Sequence, residues 1–283
     1  PGAGKSTLVD GLIRLYRDQG KRVAVLAIDP TSPYSGGAIL GDRIRMQQHF
    51  TDAGVFIRSI ATRGHLGGLS RSTGDVLHVL HAAEFDVVIL ETVGVGQDEL
   101  EVTQLADTTL VVMAPGLGDD IQAIKAGILE VADVFAVNKS DRAGADATAQ
   151  DLQQMLSLRR VPVGVGQMQG HTAVSTLRRG PEAEAGEWVP PIIKTIAHRK
   201  EGIPALVEAF EKHREFLTTT DAGRAIQANR RLAELRAILV QALIDEVDTR
   251  FADRVSAKLD EILEGRADPY TCAEALVREA IRG

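Results

Sequence analysis

Seven residues at the start of the sequence, Pro1-Gly2-Ala3-Gly4-Lys5-Ser6-Thr7, limit what this chain can fold into more than any other stretch. They match the back half of the pattern G-x-x-x-x-G-K-[ST]. In such a loop, glycines turn consecutive backbone N–H groups toward one point, where they cradle phosphate oxygens. Lys5 then reaches the β- and γ-phosphates, and the Ser6 hydroxyl can ligate Mg²⁺. The helix that follows adds the positive end of its dipole. A Gly-rich turn before an ordinary helix is the plainer alternative. The contiguous G-x-G-K-S-T ahead of apolar Leu8, Leu12, Ile13, Leu15 and Tyr16 argues for phosphate. All seven residues, Pro1 to Thr7, are therefore expected nucleotide contacts. The opening glycine of the motif, and the strand that feeds the loop at the centre of the sheet, are expected ahead of Pro1.

The remaining pattern alternates helix and strand. The spacing predicts a helix over 6–19 with Gly20 as its stop. Continuous apolar runs at 23–28, 55–60, 87–90, 110–113, 134–137 and 192–196 read as buried strands. Helices are predicted over 72–83, 121–131, 146–158 and 203–217. This is an α/β pattern of the P-loop NTPase type, with a mainly parallel sheet covered by helices on both faces. In such sheets ligands bind beyond the carboxyl ends of the strands. Residues 159–191, rich in Gly, Pro and charge, read as a long mobile surface excursion. From Asp221 onward no strand is expected, and helices are predicted over 225–247, 254–263 and 271–281. The organisation is then a nucleotide-binding domain over 1–218 and a helical C-terminal arm over 219–283. An apolar stripe runs through Ile226, Leu232, Leu235, Leu239, Leu243 and Val247. It suits either packing on the chain's own first domain or dimerisation.

Four residues after a buried strand name the base. Asn138-Lys139-Ser140-Asp141 fits N-K-x-D. An Asp carboxylate accepts two hydrogen bonds from the N1–H and exocyclic amine of guanine, a donor pair adenine lacks. The Asn amide reads the purine edge, and the Lys stem covers the base plane. Downstream of a phosphate loop this points to GTP rather than ATP. Ile196, Ala197 and His198, after the next strand, are placed by topology where a backbone N–H meets guanine O6; Ile196 departs from the more common Ser. Three carboxylates fall at strand ends or the loops beyond: Asp29, Asp42 and Glu91. Glu91 stands where such folds usually carry Asp, and would hold Mg²⁺ directly or through water. Asp29 could hold the metal or orient the attacking water, and Asp42 could join the metal shell. Helix capping for Asp29 and a turn for Asp42 are the structural alternatives. Lys5, Asp29 and Glu91 are the expected catalytic set, with Ser6, Asp29, Asp42 and Glu91 around the metal. Gln97 earns no firm role, and Arg43, Arg45 and Arg63 are only candidates for an arginine finger, so slow intrinsic hydrolysis raised by a partner is expected.

Composition excludes other classes. A net charge of -7 and 4% aromatic residues offer neither a broad nucleic-acid surface nor stacking platforms. No apolar run reaches membrane-spanning length. One cysteine, Cys272, allows no intramolecular disulfide framework and no Cys-rich metal site. A cytosolic or organelle-matrix setting is expected.

Several stretches together resemble a known family. Asp29-Pro30-Thr31-Ser32-Pro33 with Gly36 to Arg43 is similar to its first switch. Phe56-Ile57-Arg58-Ser59 with Ala61 to Leu69 resembles its most distinctive segment. Glu91 to Gln97 and Asn138 to Asp141 complete the match. The family is the MeaB/ArgK type, the methylmalonyl-CoA-mutase-associated GTPases of the SIMIBI class. The resemblance implies a GTPase chaperone that gates cofactor loading of an adenosylcobalamin-dependent acyl-CoA mutase and protects it. It also implies a homodimer joined through C-terminal helices, and a further switch at Gly116 to Lys125. Two other functions stay open: a kinase of the transport-system type, and a metal-delivery GTPase, which would need Cys/His clusters. Replacing Asp141 by Asn should move base preference from guanine toward xanthine nucleotides in competition binding; an unaltered preference would count against the N-K-x-D reading.

Overall fold

In a computed structural model, residues 2–30, 47–62, 68–92, 103–116, 131–159 and 187–282 are described. The chain divides into two compact units, Pro1–Arg230 and Arg231–Gly283.

The first unit alternates helices with parallel strands: α1 (Lys5–Asp18), β1 (Val23–Pro30), β2 (Val55–Thr62), α2 (Gly68–Ala82), β3 (Val87–Thr92), β4 (Leu110–Met113), β5 (Val134–Val137), α3 (Ala145–Arg159), β6 (Ile192–Lys194) and α4 (Ile203–Thr219). The strands form two parallel groups, β2-β1-β3 and β4-β5-β6. Val23 pairs with Val55 on one side and Val87 on the other, while Phe135 stands opposite both Val111 and Ile192. All crossings are parallel, as expected for strands separated by helices. The predicted helix over 121–131 and most of the 159–191 segment lie outside the described residues.

Strand periodicity sorts the core. Val23, Val25, Val55, Ile57, Val87 and Ile89 project to one face, with Val134, Ala136, Leu110 and Val112 of the second group. They meet Leu8, Leu12, Ile13 and Tyr16 of α1 and Ile203, Leu206 and Val207 of α4. The alternate positions, Ala24, Leu26, Ile28, Val88 and Leu90, pack under Val76, Leu77 and Leu80 of α2. Met113, Phe135 and Val137 pack under Ala145 and Leu152 of α3. The two-residue repeat of a strand thus gives each group two apolar faces, and each face takes a helix. Gly11 lets α1 approach α4 closely, since a β-carbon there would lie 3.2 Å from Ile203 Cδ1. Helix α1 ends as predicted: Gly20 is left-handed at φ 76°, Gly20 N–H donates to Arg17 O and Lys21 N–H to Tyr16 O, the paired bonds of a Schellman cap.

One boundary differs from the sequence reading. The last strand ends at Lys194 rather than at Ile196. Ile196 N–H donates to Glu201 O at 3.0 Å, and Glu201 N–H returns to Ile196 O at 3.3 Å. These bonds turn the chain back on itself around a short 3₁₀ turn, Ala197–Arg199, so apolar Ile196 caps a turn instead of extending a strand.

At the opposite end of β4 and β5 lies a polar cluster that periodicity did not reveal. His213 of α4 is 1% exposed. Its Nδ1 is 2.8 Å from Thr108 Oγ1, and its ring lies 4.7 Å from that of Trp188. Asp133 accepts from Thr109 N–H at 2.9 Å and pairs with Arg230 and His213 at 3.5 Å each. Trp188 Nε1 donates to Asp133 O, and Arg230 to Asp107 O.

The C-terminal helices are α5 (Asp221–Arg250), α6 (Ala252–Leu263) and α7 (Pro269–Arg282). In the second unit Arg254 of α6 pairs with Glu279 of α7 at 2.5 Å, and Phe251 and Cys272 are buried. Leu235, Ile238, Leu239, Val240 and Leu243 of α5 are each more than half exposed.

Burial holds the His213 imidazole below its ordinary value, opposed by the nearby Asp133 carboxylate and reinforced by Arg230. The folded chain therefore protonates this ring at a lower pH than the unfolded chain, which takes up its proton near pH ~6.5. Its contribution to stability is complete above that value and is lost as pH falls below it. Melting temperature should fall between about pH 7 and 5, and His213→Gln should flatten that slope; an equal slope in the variant would remove His213 as its source.

Candidate functional site

The phosphate loop takes its shape from two left-handed glycines, Gly2 at φ 80° and Gly4 at φ 87°, on either side of buried Ala3. Gly4 is also fixed by space, since a β-carbon there would lie 2.4 Å from Asn138 Nδ2. Gly4 is the N-cap of α1 and supplies no side-chain hydrogen bond. The first-turn N–H groups therefore have no side-chain acceptor, at the positive end of a 14-residue helix. That is the arrangement which takes an anion. Lys5 and Ser6 open the helix and are half-buried, while Thr7 is exposed.

Ser6 Oγ donates to Glu91 Oε1 at 2.7 Å. Glu91 sits near the carboxyl end of β3, paired in register with Ala27, and is 4% exposed. The strand register carries this carboxylate to the start of α1, 85 positions away in sequence. A hydroxyl and a buried carboxylate side by side are hard oxygen donors, the kind Mg²⁺ selects over softer metals. The predicted pair Ser6 and Glu91 is thus brought together and fits that ion. The backbone of Asp29 lies near the end of β1, opposite Ala61. Asp42, Pro1, Gln97 and the three arginines Arg43, Arg45 and Arg63 lie outside the described residues.

The base-side residues meet the phosphate loop directly. Asn138, 2% exposed, follows β5. Its Nδ2 donates to Ala3 O at 2.8 Å, and its Oδ1 accepts from Ala197 N–H at 3.1 Å and Thr195 Oγ1 at 3.2 Å. Lys139 adopts a left-handed φ of 57°, a conformation costing a non-glycine residue about 1–2 kcal/mol. Its Nζ donates to Gly2 O at 2.6 Å. The two side chains expected to read and cover the purine therefore also brace the phosphate loop from behind. Asp141 is exposed, as its expected base contact requires. Ile196 and Ala197 are buried and His198 is exposed. Of the backbone N–H groups in this segment, one of which is expected to face guanine, that of Ala197 is engaged by Asn138 and that of Ile196 by Glu201.

Thr195 escaped the sequence reading. It is fully buried, and its hydroxyl is the one group of the segment that reaches Asn138 by side chain. The available hint was the apolar Ile196, which has no hydroxyl to offer. Among the described residues no group of three or more His, Cys, Asp or Glu could hold a metal by itself, and no helix is long and apolar enough to cross a membrane.

The family described as methylmalonyl-CoA mutase-associated GTPase MeaB matches residues 1–252. A Pyrococcus abyssi relative, which carries a provisional GTPase name, is 43% identical over all of this chain and 82% of its own length. The Escherichia coli GTPase ArgK is 36% identical over 83% of this chain and 66% of its own length. The mouse mitochondrial methylmalonic aciduria type A homolog is 32% identical over 98% of this chain and 63% of its own length. A crystal structure titled as a LAO/AO transport system kinase superposes with a TM-score of 0.61 and 25% identity, covering all of this chain and 79% of that one. With its parallel α/β fold and phosphate loop, the chain belongs to the MeaB family of P-loop GTPases.

Proposed function

We propose that this chain binds and hydrolyses GTP to act as a chaperone for an adenosylcobalamin-dependent acyl-CoA mutase, gating cofactor loading and protecting the mutase. The observation that carries the nucleotide half is the 2.8 Å bond from Asn138 to Ala3, which joins the N-K-x-D loop to the phosphate loop as one site. The mutase half rests on the family match, which extends from the first unit into the second. Methylmalonyl-CoA mutase is the first partner to test.

In this reading the backbone of Gly2 to Thr7 and the start of α1 hold the phosphates, and Lys5 neutralises charge that builds on the β–γ bridge. Ser6 and Glu91, with Asp29 and Asp42, would hold Mg²⁺, which screens phosphate charge when bound. Asp29 orients water, and Asp141 selects guanine. Residues 1–218 serve as the nucleotide domain, and 219–283 as a dimerisation arm. The exposed apolar row Leu235, Leu239 and Leu243 supports that arm, because a row so apolar is stabilised by cover. The proposed setting is the cytoplasm, or the mitochondrial matrix in a eukaryote.

A second reading, phosphoryl transfer to an acceptor, draws on the kinase name of the structural neighbour. Labelled GTP separates the two: free phosphate supports hydrolysis, and label on an acceptor overturns it.

Purified methylmalonyl-CoA mutase should raise the GTPase rate and co-purify with the protein in a manner that differs between GDP, GTP-analogue and empty states. No stimulation and no state-dependent capture by any adenosylcobalamin mutase would overturn the chaperone reading. Glu91→Gln should raise the Mg²⁺ concentration for half-maximal hydrolysis by about 10- to 100-fold, the usual cost of weakening a metal site's carboxylate shell; unchanged Mg²⁺ dependence would take Glu91 out of that shell.

A further inference from the structure

Three strands start from one polar cluster and end around the base loop. Asp107 to Thr109 lead into β4, Asp133 into β5 and Trp188 toward β6. Asp133 ties these starts together: its carboxylate accepts from Thr109 N–H, its carbonyl from Trp188 Nε1–H, and its own N–H donates to Thr109 O at 2.9 Å. At the far ends, Asn138 N–H donates to Met113 O at 2.8 Å, Thr195 N–H to Val137 O at 2.9 Å and Ser140 N–H to Thr195 O at 3.1 Å. Between the two ends of β5, Val134 to Val137 are fully buried. Close-packed strands of this kind shift as one body. This body reaches about 16 Å from Asp133 to Asn138, at about 3.3 Å per residue. Glu91 lies outside it, on β3 of the other strand group.

A side chain from α5 closes the cluster. Arg230 donates to Asp107 O at 2.6 Å and lies 3.5 Å from Asp133 Oδ2. Its side chain is 21% exposed. One guanidinium thus bridges the entries to β4 and β5, since its rigid fork can serve a carbonyl and a carboxylate at once. Arg230 is the last residue of the first unit, and α5 runs on to Arg250 with Leu235, Leu239 and Leu243 more than half exposed. A helix without tertiary cover is marginal in water, and packing of its apolar side is what orders it. Ordering α5 holds Arg230 at its two acceptors, and fraying releases it.

We propose that Arg230 couples the apolar row of α5 to the guanine end of the nucleotide site: cover of the row by a second copy of the chain holds Arg230 on Asp107 and Asp133, which keeps β4, β5 and β6 set to present the base loop. This rests on the guanine-nucleotide and dimerisation-arm readings. Because Glu91 lies outside the coupled strands, the effect falls on nucleotide affinity and spares the metal. Coupling between two binding events is reciprocal, so a guanine nucleotide tightens self-association by the same factor.

The test is a double-variant cycle in the full-length protein. It reads GDP affinity by calorimetry, self-association by sedimentation, and the Mg²⁺ concentration for half-maximal hydrolysis at saturating GTP. Leu239→Asp places a charge in the row and should leave the protein monomeric, with GDP weakened at least about 5-fold. Arg230→Met keeps the stem and removes the charge. It should weaken GDP to the same degree, and Leu239→Asp added to it should have no further effect, because the two act as one unit. Half-maximal Mg²⁺ should be the same in all four proteins, which a general loosening of the fold would not give. Saturating GDP should tighten association of the wild type and leave that of Arg230→Met unmoved. Additive losses in the double variant, unchanged GDP affinity in Leu239→Asp, association indifferent to GDP, or a Mg²⁺ shift that follows the GDP shift would each overturn the inference while leaving the nucleotide site standing. A wild-type protein that binds no GDP would overturn the site reading. One that stays monomeric, or that associates unchanged in Leu239→Asp, would overturn the arm reading. This inference falls with either.

Discussion

The bond from the Asn138 amide to the Ala3 carbonyl is the contact on which the rest of this molecule's organisation turns. It spans 135 positions of sequence and is buried, so it is made in low dielectric, where an unsatisfied partner is costly. It can form only if β5 delivers Asn138 beside the loop that opens α1. That delivery needs α1 seated across the shared apolar face built by Val23, Val25, Val134 and Ala136. Gly4 is confined by the same contact, because any side chain there would meet Asn138.

Helix α1 has two jobs that its sequence separates by face and by end. Leu8, Leu12, Ile13 and Tyr16 bury a stripe that joins both strand groups to α4. Its first turn is capped by no side chain. A helix so firmly packed holds its N-terminus still, and that rigidity gives a backbone phosphate cradle its strength, because little ordering remains to be done when the anion arrives. Ser6 extends the arrangement to Glu91, so one helix start gathers the glycine-shaped loop and a hydroxyl–carboxylate pair.

Much of the fold was legible because buried parallel strands are apolar without interruption. The runs at 110–113 and 134–137 are the strands observed, and β1 and β2 each extend two residues beyond the predicted ends. Helix ends moved by a few residues, as fraying caps do. Ile196 misled, because an apolar residue after a strand looks like more strand. What stopped the strand was a backbone pair with Glu201, a bond between peptide groups that no side-chain pattern encodes. His213 was equally hidden. On a helix it reads as one polar position among many, and its burial depends on Asp133, Thr108 and Trp188 arriving from other elements.

The sequence by itself determined the chemistry. Glycines that tolerate positive φ, a lysine, a hydroxyl, and an Asn-Lys-x-Asp turn after an apolar run are local statements, and local statements survive without coordinates. The tertiary structure alone decided how those groups divide their work. Asn138 and Lys139 brace the phosphate loop, the Ala197 N–H is taken by Asn138, and Thr195 joins the site although no motif includes it. The reason is physical. A hydrogen bond depends on the distance and direction between groups far apart in the chain, and only strand register and helix packing set those.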